Sequence, residues 1–360
     1  MLALLLLIAT PASSITTEDS VTVSVSFAAT GGTISPAGLY TAGPAAGTYR
    51  VVAAVANRAD TVAVVLAARP SAGSARRGTT GVPFGPFAAW EGTSLKPHTG
   101  PFTLGIAADD PGNLVARITA ARARKTKLLL AMTGGHHDRY KTAGMFDMAK
   151  WRTRMNAYDT PTLRAAVAKA VADGIVIGNS VMDEPNNVSR DNSWGPPGTM
   201  TKARVDTMCG DVKRIFPTLP VGVVHDYRVF DPEADYEVCD FVLSQYQESK
   251  GSVTAFRDAG LAFGSRSGVA MAFSLNILDG GTRMSGCPVP ATGGRGTYGG
   301  NCRMRPDQMR AYGLALGPAG CALTLWRYDR TFMADTANQR AFRDIQTRLS
   351  GVPTRSCRRL

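Results

Sequence analysis

From Val82 onward, short apolar runs alternate with amphipathic stretches, which is the sequence pattern of repeated βα units. The apolar runs predict eight buried strands, at residues 86–90, 102–106, 127–133, 175–183, 221–226, 240–247, 269–278 and 322–328. Helical periodicity predicts helices at residues 111–124, 148–173, 201–216, 252–265, 305–316 and 337–349. Eight strands with intervening helices favour a (β/α)₈ barrel over residues 82–360. A doubly wound dinucleotide-binding sheet is disfavoured, because no glycine-rich turn follows the first strand.

The chain has 360 residues, which leaves room for a second, smaller domain beside a barrel of about 250 residues. Residues 19–68 predict this domain, because Val21, Val23 and Val25 alternate with polar residues and no helical period interrupts the later apolar runs. We expect an all-β module here. Residues 69–81 are rich in Ser, Gly, Ala and Arg and predict a linker.

Residues 1–14 resemble a secretory signal peptide, because an unbroken apolar run from Leu2 to Ile8 precedes small residues. No Lys or Arg precedes the run, and a buried N-terminal strand is the alternative interpretation. No stretch reaches the roughly 18 apolar residues of a membrane helix, so no membrane span is expected. These features predict a secreted, periplasmic or cell-surface protein of bacterial type.

Six cysteines are consistent with export into an oxidising compartment. They allow 15 pairings. The sequence contains no C-x-x-C motif, so structural zinc and thioredoxin-like chemistry are disfavoured. We predict three disulfides, Cys287–Cys302, Cys209–Cys239 and Cys321–Cys357.

The formal net charge of +12 comes largely from arginines scattered along the predicted helices and gathered at the C-terminus. A nucleic-acid partner would require a basic stripe with interleaved aromatic residues, which the sequence lacks. We therefore expect no nucleic-acid partner. Weak association with acidic polysaccharide or with the cell surface is the remaining interpretation of the charge.

Polar and aromatic residues follow the predicted strands at the end where a barrel carries its active site. The candidates for substrate contact are His137, Asp183, His225, Tyr246, Gln247, Asn276 and Trp326. Aromatic rings stack on the apolar faces of sugars, and amides and carboxylates bind sugar hydroxyls. The set therefore predicts a carbohydrate partner.

The string ATGGTISPAGLYTAG at residues 29–43, followed by GTYRVVA at residues 47–53, resembles bacterial Ig-like (group 2) domains. The resemblance implies a spacer or adhesive module without catalytic residues. About two strands of the family are missing at its N-terminal end, which implies a truncated module.

The sequence Asp183-Glu184-Pro185 after an apolar strand resembles the Asn-Glu-Pro signature of the glycoside hydrolase barrel superfamily. This resemblance implies that Glu184 is the general acid/base, and that Trp326 forms the floor of a sugar subsite. The family pattern also has a nucleophilic Glu at the end of strand 7, where this chain has none. Asp279 is the nearest substitute and is the second predicted catalytic residue, and Asp226 or Glu91 is the alternative if the geometry differs.

Three functions therefore stay open. The first is a secreted glycoside hydrolase acting on a polysaccharide or glycan, and the second is a catalytically inactive barrel that binds glycan or cell-envelope material. The third is a metal-dependent hydrolase, for which His136, His137, Glu184, His225 and Asp279 lie at strand ends. Because no His-x-His follows the first strand, we expect neither a catalytic metal nor a cofactor.

Overall fold

The computed structural model describes residues 3–4, 24–41, 47–66, 81–134, 137–186, 194–281, 287 and 302–360. The chain divides into two compact units, Met1–Arg77 and Gly78–Leu360. Apart from Ala3–Leu4, the predicted signal segment lies outside the described residues, and apart from Gly81 so does the predicted linker. The limits of these two segments remain predictions.

The described part of the N-terminal unit is made of antiparallel strands. Val25–Ala29, Gly47–Val55 and Arg58–Leu66 form one sheet, in that order. Ala3–Leu4, Tyr40–Thr41 and Thr33–Ile34 form a second small sheet, in that order. The buried apolar cluster of this unit consists of Tyr40, Val51 and Val64. The described part of residues 19–68 thus forms β structure, while membership of the Ig-like family remains a prediction.

The second unit contains eight parallel strands. They are β1 (Phe84–Pro86), β2 (Leu104–Ala108), β3 (Lys127–Ala131), β4 (Val176–Asp183), β5 (Val221–Val224), β6 (Phe241–Tyr246), β7 (Ala270–Asn276) and β8 (Leu323–Trp326). From β2 to β8 each strand pairs with the next in the chain, and β8 pairs with β1. A parallel bridge between Phe87 and Ile106 brings the chain after β1 against β2, so the sheet curves round into a barrel.

Eight helices accompany these strands in the described residues. They are α1 (Leu114–Ala123), α2 (Met148–Asn156), α3 (Pro161–Ala172), α4 (Lys202–Ile215), α5 (Val253–Ser267), α6 (Pro306–Leu316), α7 (Arg330–Ala334) and α8 (Thr336–Ser350). Residues 87–103 and 225–240 are fully described and contain no helix, so β1 and β5 connect to the next strand without one.

One predicted helix is divided in the structure. Residues 148–173 form α2 and α3, because Pro161 disfavours helical geometry at Thr160. Thr160 instead caps α3 through its side chain, with Pro161 in the first turn, where a missing N–H costs nothing. The predicted first strand is also displaced, since β1 ends at Pro86 and Trp90–Glu91 pairs with Ser94–Leu95 in a hairpin.

Alternation along the strands divides the apolar side chains between two clusters. Leu129, Phe241 and Leu243 belong to the cluster inside the barrel, whereas Leu128 and Val242 belong to the cluster between strands and helices. The interior is packed closely, because a Cβ at Gly222 would lie 2.2 Å from the backbone oxygen of Phe241.

All three predicted disulfides are confirmed, as Cys209–Cys239, Cys287–Cys302 and Cys321–Cys357. The last one fastens the C-terminal residues near the start of β8. Beyond it, the guanidinium of Arg359 donates to the backbone oxygens of Cys239, Tyr236 and Ser267 at 2.7–3.1 Å. No helix in the described ranges has the length and apolar character to cross a membrane.

Candidate active site

The carboxyl ends of the barrel strands surround a cavity of about 180 Å³, which we call the mouth cavity. Its lining residues are Phe87, Ala88, Ile106, Ala108, Ala131, Thr133, Gly134, His137, Ser180, Met182, Asp183, Val224, Trp326 and Arg327. They come from the ends of β1 to β5 and of β8. This is the end of a (β/α)₈ barrel at which active sites form.

Asp183 is the last residue of β4 and brings an acidic group to the mouth cavity. Burial of the side chain, together with the neighbouring charge of Glu184, raises the pKa of Asp183 to about 7. Both effects disfavour the ionised carboxylate. The Asp183 carboxyl can therefore hold a proton near neutral pH and donate it.

The wall formed by the end of β3 is held by hydrogen bonds. The hydroxyl of Thr133 donates to the backbone oxygen of Val181 at 2.5 Å and accepts from Nε1 of Trp151 at 2.9 Å. The hydroxyl of Tyr140 donates to the backbone oxygen of Thr133 at 2.6 Å. These bonds tie β3 to β4 and α2, so this side of the cavity is rigid.

Trp194 connects the two sides of the cavity that carry His137 and Asp183. The imidazole of His137 stacks on the indole of Trp194, with ring centroids 3.8 Å apart. Nε1 of the same indole donates to the backbone oxygen of Asp183 at 2.7 Å. Trp194 is itself 1% exposed, so it acts as a buried support rather than as a cavity surface.

Trp326, the last residue of β8, contributes an aromatic surface to the opposite side. It contacts Phe87 edge to face, with centroids 5.3 Å apart. Arg327 follows through a cis peptide bond and also lines the cavity, with an exposed side chain. The cavity thus has an apolar aromatic side and a side with ionisable groups.

Glu184 lies in a second cavity of about 230 Å³, which we call the side groove. The groove is lined by Glu184, Asn186, Val224, His225, Asp226, Gln245 and Lys250. Glu184 is exposed, and its backbone is in the left-handed region with φ +43°. Its N–H donates to the oxygen of Val224 at 2.8 Å. Consecutive acidic residues therefore line two neighbouring cavities.

Asp226 is held by two cations in the side groove. Its carboxylate contacts Nη2 of Arg228 at 2.8 Å and Nζ of Lys250 at 2.9 Å. Burial acts to raise the pKa of Asp226, but the hydrogen bonds and charges of Arg228 and Lys250 prevail and hold it well below its usual range. Asp226 therefore stays ionised and is a poor proton donor.

His225 follows β5 and is buried beside the rings of Phe230 and Tyr236, with 1% of its surface exposed. Burial lowers the pKa of His225 to about 4, so the ring is neutral at pH 7. Nε2 lies 2.8 Å from the hydroxyl of Tyr236, while Nδ1 has no hydrogen-bond partner among the described residues. A neutral ring suits contact with a ligand better than proton transfer to one.

The predicted site residues thus fall into three groups. Asp183, His137 and Trp326 line the mouth cavity, and Glu184 and His225 line the side groove. The remaining four, Tyr246, Gln247, Asn276 and Asp279, line neither.

The four outlying residues belong to the region after β6 and β7. The hydroxyl of Tyr246 donates to the backbone oxygen of Gly251 at 2.6 Å, and Gln247 precedes a short 3₁₀ helix. Asn276 ends β7 and accepts a hydrogen bond from the backbone nitrogen of Asp279 at 3.0 Å. Asp279 itself is 6% exposed, so its carboxyl is largely enclosed by protein.

Phe87, Ser180 and Arg327 line the mouth cavity although sequence reasoning did not select them. Arg327 directly follows Trp326 at the end of β8, and this position in the sequence could have predicted that it lines the cavity. Phe87 lies just beyond the last residue of β1 and Ser180 lies within β4, so only the strand geometry brings them to the cavity.

In the described ranges, no cluster of three or more His, Cys, Asp or Glu side chains has the spacing to hold a metal ion. His136, one of the residues considered as a metal ligand, lies outside these ranges.

No protein-family model and no curated protein sequence matches the chain. Among solved structures, the endo-1,4-β-mannanase from Rhizomucor miehei is 13% identical, with 75% of this chain and 93% of that chain covered and a TM-score of 0.47. A GH10 xylanase from termite gut that contains a bacterial Ig-like domain is 9% identical, with coverages of 91% and 94% and a TM-score of 0.41. A GH39 β-xylosidase from Caulobacter crescentus is 14% identical, with coverages of 71% and 65% and a TM-score of 0.46. At these identities and TM-scores, function has to be argued from the residues of this chain.

Proposed function

We propose that the barrel binds one sugar unit of a glycan in the mouth cavity and hydrolyses a glycosidic bond, with Asp183 as the proton donor. The observation that carries the proposal is a carboxyl group with a pKa of about 7 at the end of β4, in a cavity with aromatic walls. A general acid works best when its pKa lies near the operating pH. A carboxyl group raised in this way is the usual proton donor to a glycosidic oxygen.

The aromatic side of the cavity supports a carbohydrate as the ligand. Trp326 and Phe87 offer apolar surface to the C–H face of a sugar ring. The cavity volume of about 180 Å³ is below the usual 300–1,000 Å³ of small-molecule pockets, so we expect it to hold one ring rather than a longer segment.

Glu184 is the proposed base. In this proposal Asp183 transfers its proton to the glycosidic oxygen as the bond from that oxygen to the anomeric carbon breaks. A water molecule forms the new bond to the anomeric carbon, and Glu184 accepts the proton that this water loses. The product then has the inverted configuration, for which the two carboxyl groups must be about 6.5–9.5 Å apart.

This assignment changes the roles that the family resemblance implied. Sequence comparison made Glu184 the acid/base and Asp183 a substrate contact. We exchange them because Asp183 is half-buried and lines the mouth cavity with a raised pKa, whereas Glu184 is exposed in the side groove. A retaining mechanism with Asp279 as the nucleophile receives less support, because Asp279 lines neither cavity.

A second candidate function is glycan binding without hydrolysis. The end of β7 favours it, because Asn276 stands in register with Trp326 at the position where the resembled family carries its nucleophilic Glu. An amide binds sugar hydroxyls but cannot act as a nucleophile or base of this kind.

Hydrolysis and binding are separated by measuring both on a panel of polysaccharides, with Asp183→Asn and Glu184→Gln beside the natural protein. Release of reducing ends should fall at least 100-fold in both variants, while binding persists. Asp344→Asn on the outer helix α8 is the matched control and should behave as the natural protein. Binding without release by the natural protein would favour the second function. Unchanged turnover by Asp183→Asn would exclude Asp183 as the acid, and the absence of any glycan binding would exclude both functions.

We also propose that the protein is exported and acts outside the cytoplasm, with the N-terminal unit as a spacer or surface element. Three disulfides support export, because such bonds persist in oxidising compartments. Determining the N-terminal residue of the protein recovered from the medium or periplasm tests this. A product that begins after residue 14 is expected, and retention of Met1 in the cytoplasm would contradict it.

A further inference from the structure

We infer that the mouth cavity selects an anionic sugar, carrying a carboxylate or a sulfate group, and that Arg327 binds that group. The inference rests on the proposed function and adds the substrate class to it. Four observations support it, namely the hydrogen-bonding groups of the cavity, the charge state of Asp183, the surroundings of Arg327 and the position of Trp326.

The hydroxyl groups of the cavity are already engaged with protein. The Thr133 hydroxyl donates to Val181, and Oγ of Ser180 donates to the backbone oxygen of Met182 at 3.2 Å. Among the other side chains that line the cavity, the carboxyl of Asp183, when protonated, and the guanidinium of Arg327 can donate protons to a ligand. Both are donors, so the complementary ligand is rich in acceptor oxygens.

The charge of the cavity is positive rather than balanced. Because burial holds the pKa of Asp183 near 7, this carboxyl is uncharged in much of the population at neutral pH. Arg327 stays charged at any physiological pH. A neutral sugar would leave this charge uncompensated, whereas a carboxylate or sulfate would pair with it.

Arg327 differs from three arginines in the loops after β5 and β7. Arg228 pairs with Asp226, Arg303 with Asp329 and Arg305 with Asp307. In the described part of the chain, Arg327 has neither an acidic partner nor a side-chain hydrogen bond. Its planar group of five N–H donors can therefore bind two oxygens of a ligand side by side.

The indole of Trp326 lies next to Arg327 and would fix the position of the sugar's acidic group. Trp326 and Arg327 are consecutive and both line the cavity. A sugar stacked on the indole would carry its acidic substituent toward the guanidinium. The net charge of +12 on the chain would further attract a polyanionic glycan from a distance.

The test compares binding of three oligosaccharide classes of equal length, one of uronic acids, one sulfated and one neutral. The natural protein should bind at least one anionic class 10-fold or more tightly than the neutral class. Arg327→Gln should remove that preference, and Arg327→Lys should restore part of it. Arg343→Gln, which removes the same charge from the exposed side of α8, is the matched control and should keep the preference. Thermal unfolding of each variant checks that the fold is retained.

The outcomes separate this inference from the proposed function. A preference for uronic acids identifies a carboxylate as the bound group, and a preference for the sulfated class identifies a sulfate. Equal binding of all three classes, or an anion preference that survives in Arg327→Gln, would overturn the inference and leave glycan binding in place. Failure to bind any of the three would contradict the proposed function itself.

Discussion

The indole nitrogen of Trp194 donates a hydrogen bond to the backbone oxygen of Asp183, at a distance of 2.7 Å. The same indole stacks on His137. Trp194 lies eleven residues after the end of β4, and its side chain supports the last residue of that strand. The position of the proposed acid is thus set by a side chain that does not itself line the cavity.

Trp194→Phe should therefore lower the free energy of unfolding by more than the smaller buried area of the phenyl ring accounts for. The variant leaves the backbone oxygen of Asp183 without its donor, which costs about 1–2 kcal/mol beyond the packing loss. Trp90→Phe is the matched control, because Nε1 of buried Trp90 has no hydrogen-bond partner in the described structure. Urea unfolding of both variants measures the difference. Equal losses for the two would show that the bond to Asp183 contributes nothing.

The pKa of Asp183 predicts how stability depends on pH. The folded pKa of about 7 lies above the unfolded value of about 3.9, so the folded protein binds the proton more tightly. Stability should fall as the pH rises from 4 to 7, by at most about 4 kcal/mol at about 1.4 kcal/mol per pH unit. Asp183→Asn removes this dependence and should raise the unfolding midpoint at pH 8. A variant that is no more stable than the natural protein at pH 8 would contradict the raised pKa.

Asp226 should show the opposite dependence. Its folded pKa is lowered, so its contribution to stability is fully present above the unfolded value of about 3.9 and is lost progressively as the pH falls from there through the folded pKa. Asp226→Asn should cost about 2 kcal/mol at pH 7, because it leaves Arg228 and Lys250 without their acid. The difference between the variant and the natural protein should shrink progressively as the pH is lowered from about 4 toward the lowered folded pKa. Asp258→Asn, which breaks an exposed pair with Arg257, should cost much less at pH 7.

Removing the disulfide at the C-terminal end should release that segment. The double variant Cys321→Ser, Cys357→Ser opens a loop with a separation of 36 residues and should lose roughly 4 kcal/mol. Limited proteolysis followed by mass spectrometry should then detect cleavage within residues 351–360. The control is Cys209→Ser with Cys239→Ser, which opens a loop of similar separation, 30 residues. It should be destabilised to a similar degree without early cleavage there.

Most of the strands could be predicted because each is marked by a short apolar run in the sequence. The three disulfide pairings were also predicted correctly. The predicted strand at residues 175–183 differs from β4 by a single residue, since an apolar run marks both of its ends. The helix prediction at residues 148–173 was wrong in extent, because the restriction that Pro161 places on Thr160 outweighs the continuous periodicity.

The division of labour between Asp183 and Glu184 could not be predicted in the same way. The pairing of β4 with β5 shifts register between Ser180 and Asp183, and the backbone turns left-handed at Glu184. The rule that successive side chains of a strand point to opposite faces therefore does not predict which cavity Asp183 and Glu184 line. The burial of Asp279 likewise depends on the chain after β7, which periodicity does not describe.

The N–H of Glu184 belongs to the peptide unit that joins Asp183 to Glu184, and it donates to the oxygen of Val224, a residue that lines both cavities. A rotation of this peptide unit that enlarges the mouth cavity would therefore also reorient Glu184 in the side groove. Redesign of either cavity alone should carry a trade-off, and paired changes at residues 183, 184 and 224 should avoid it.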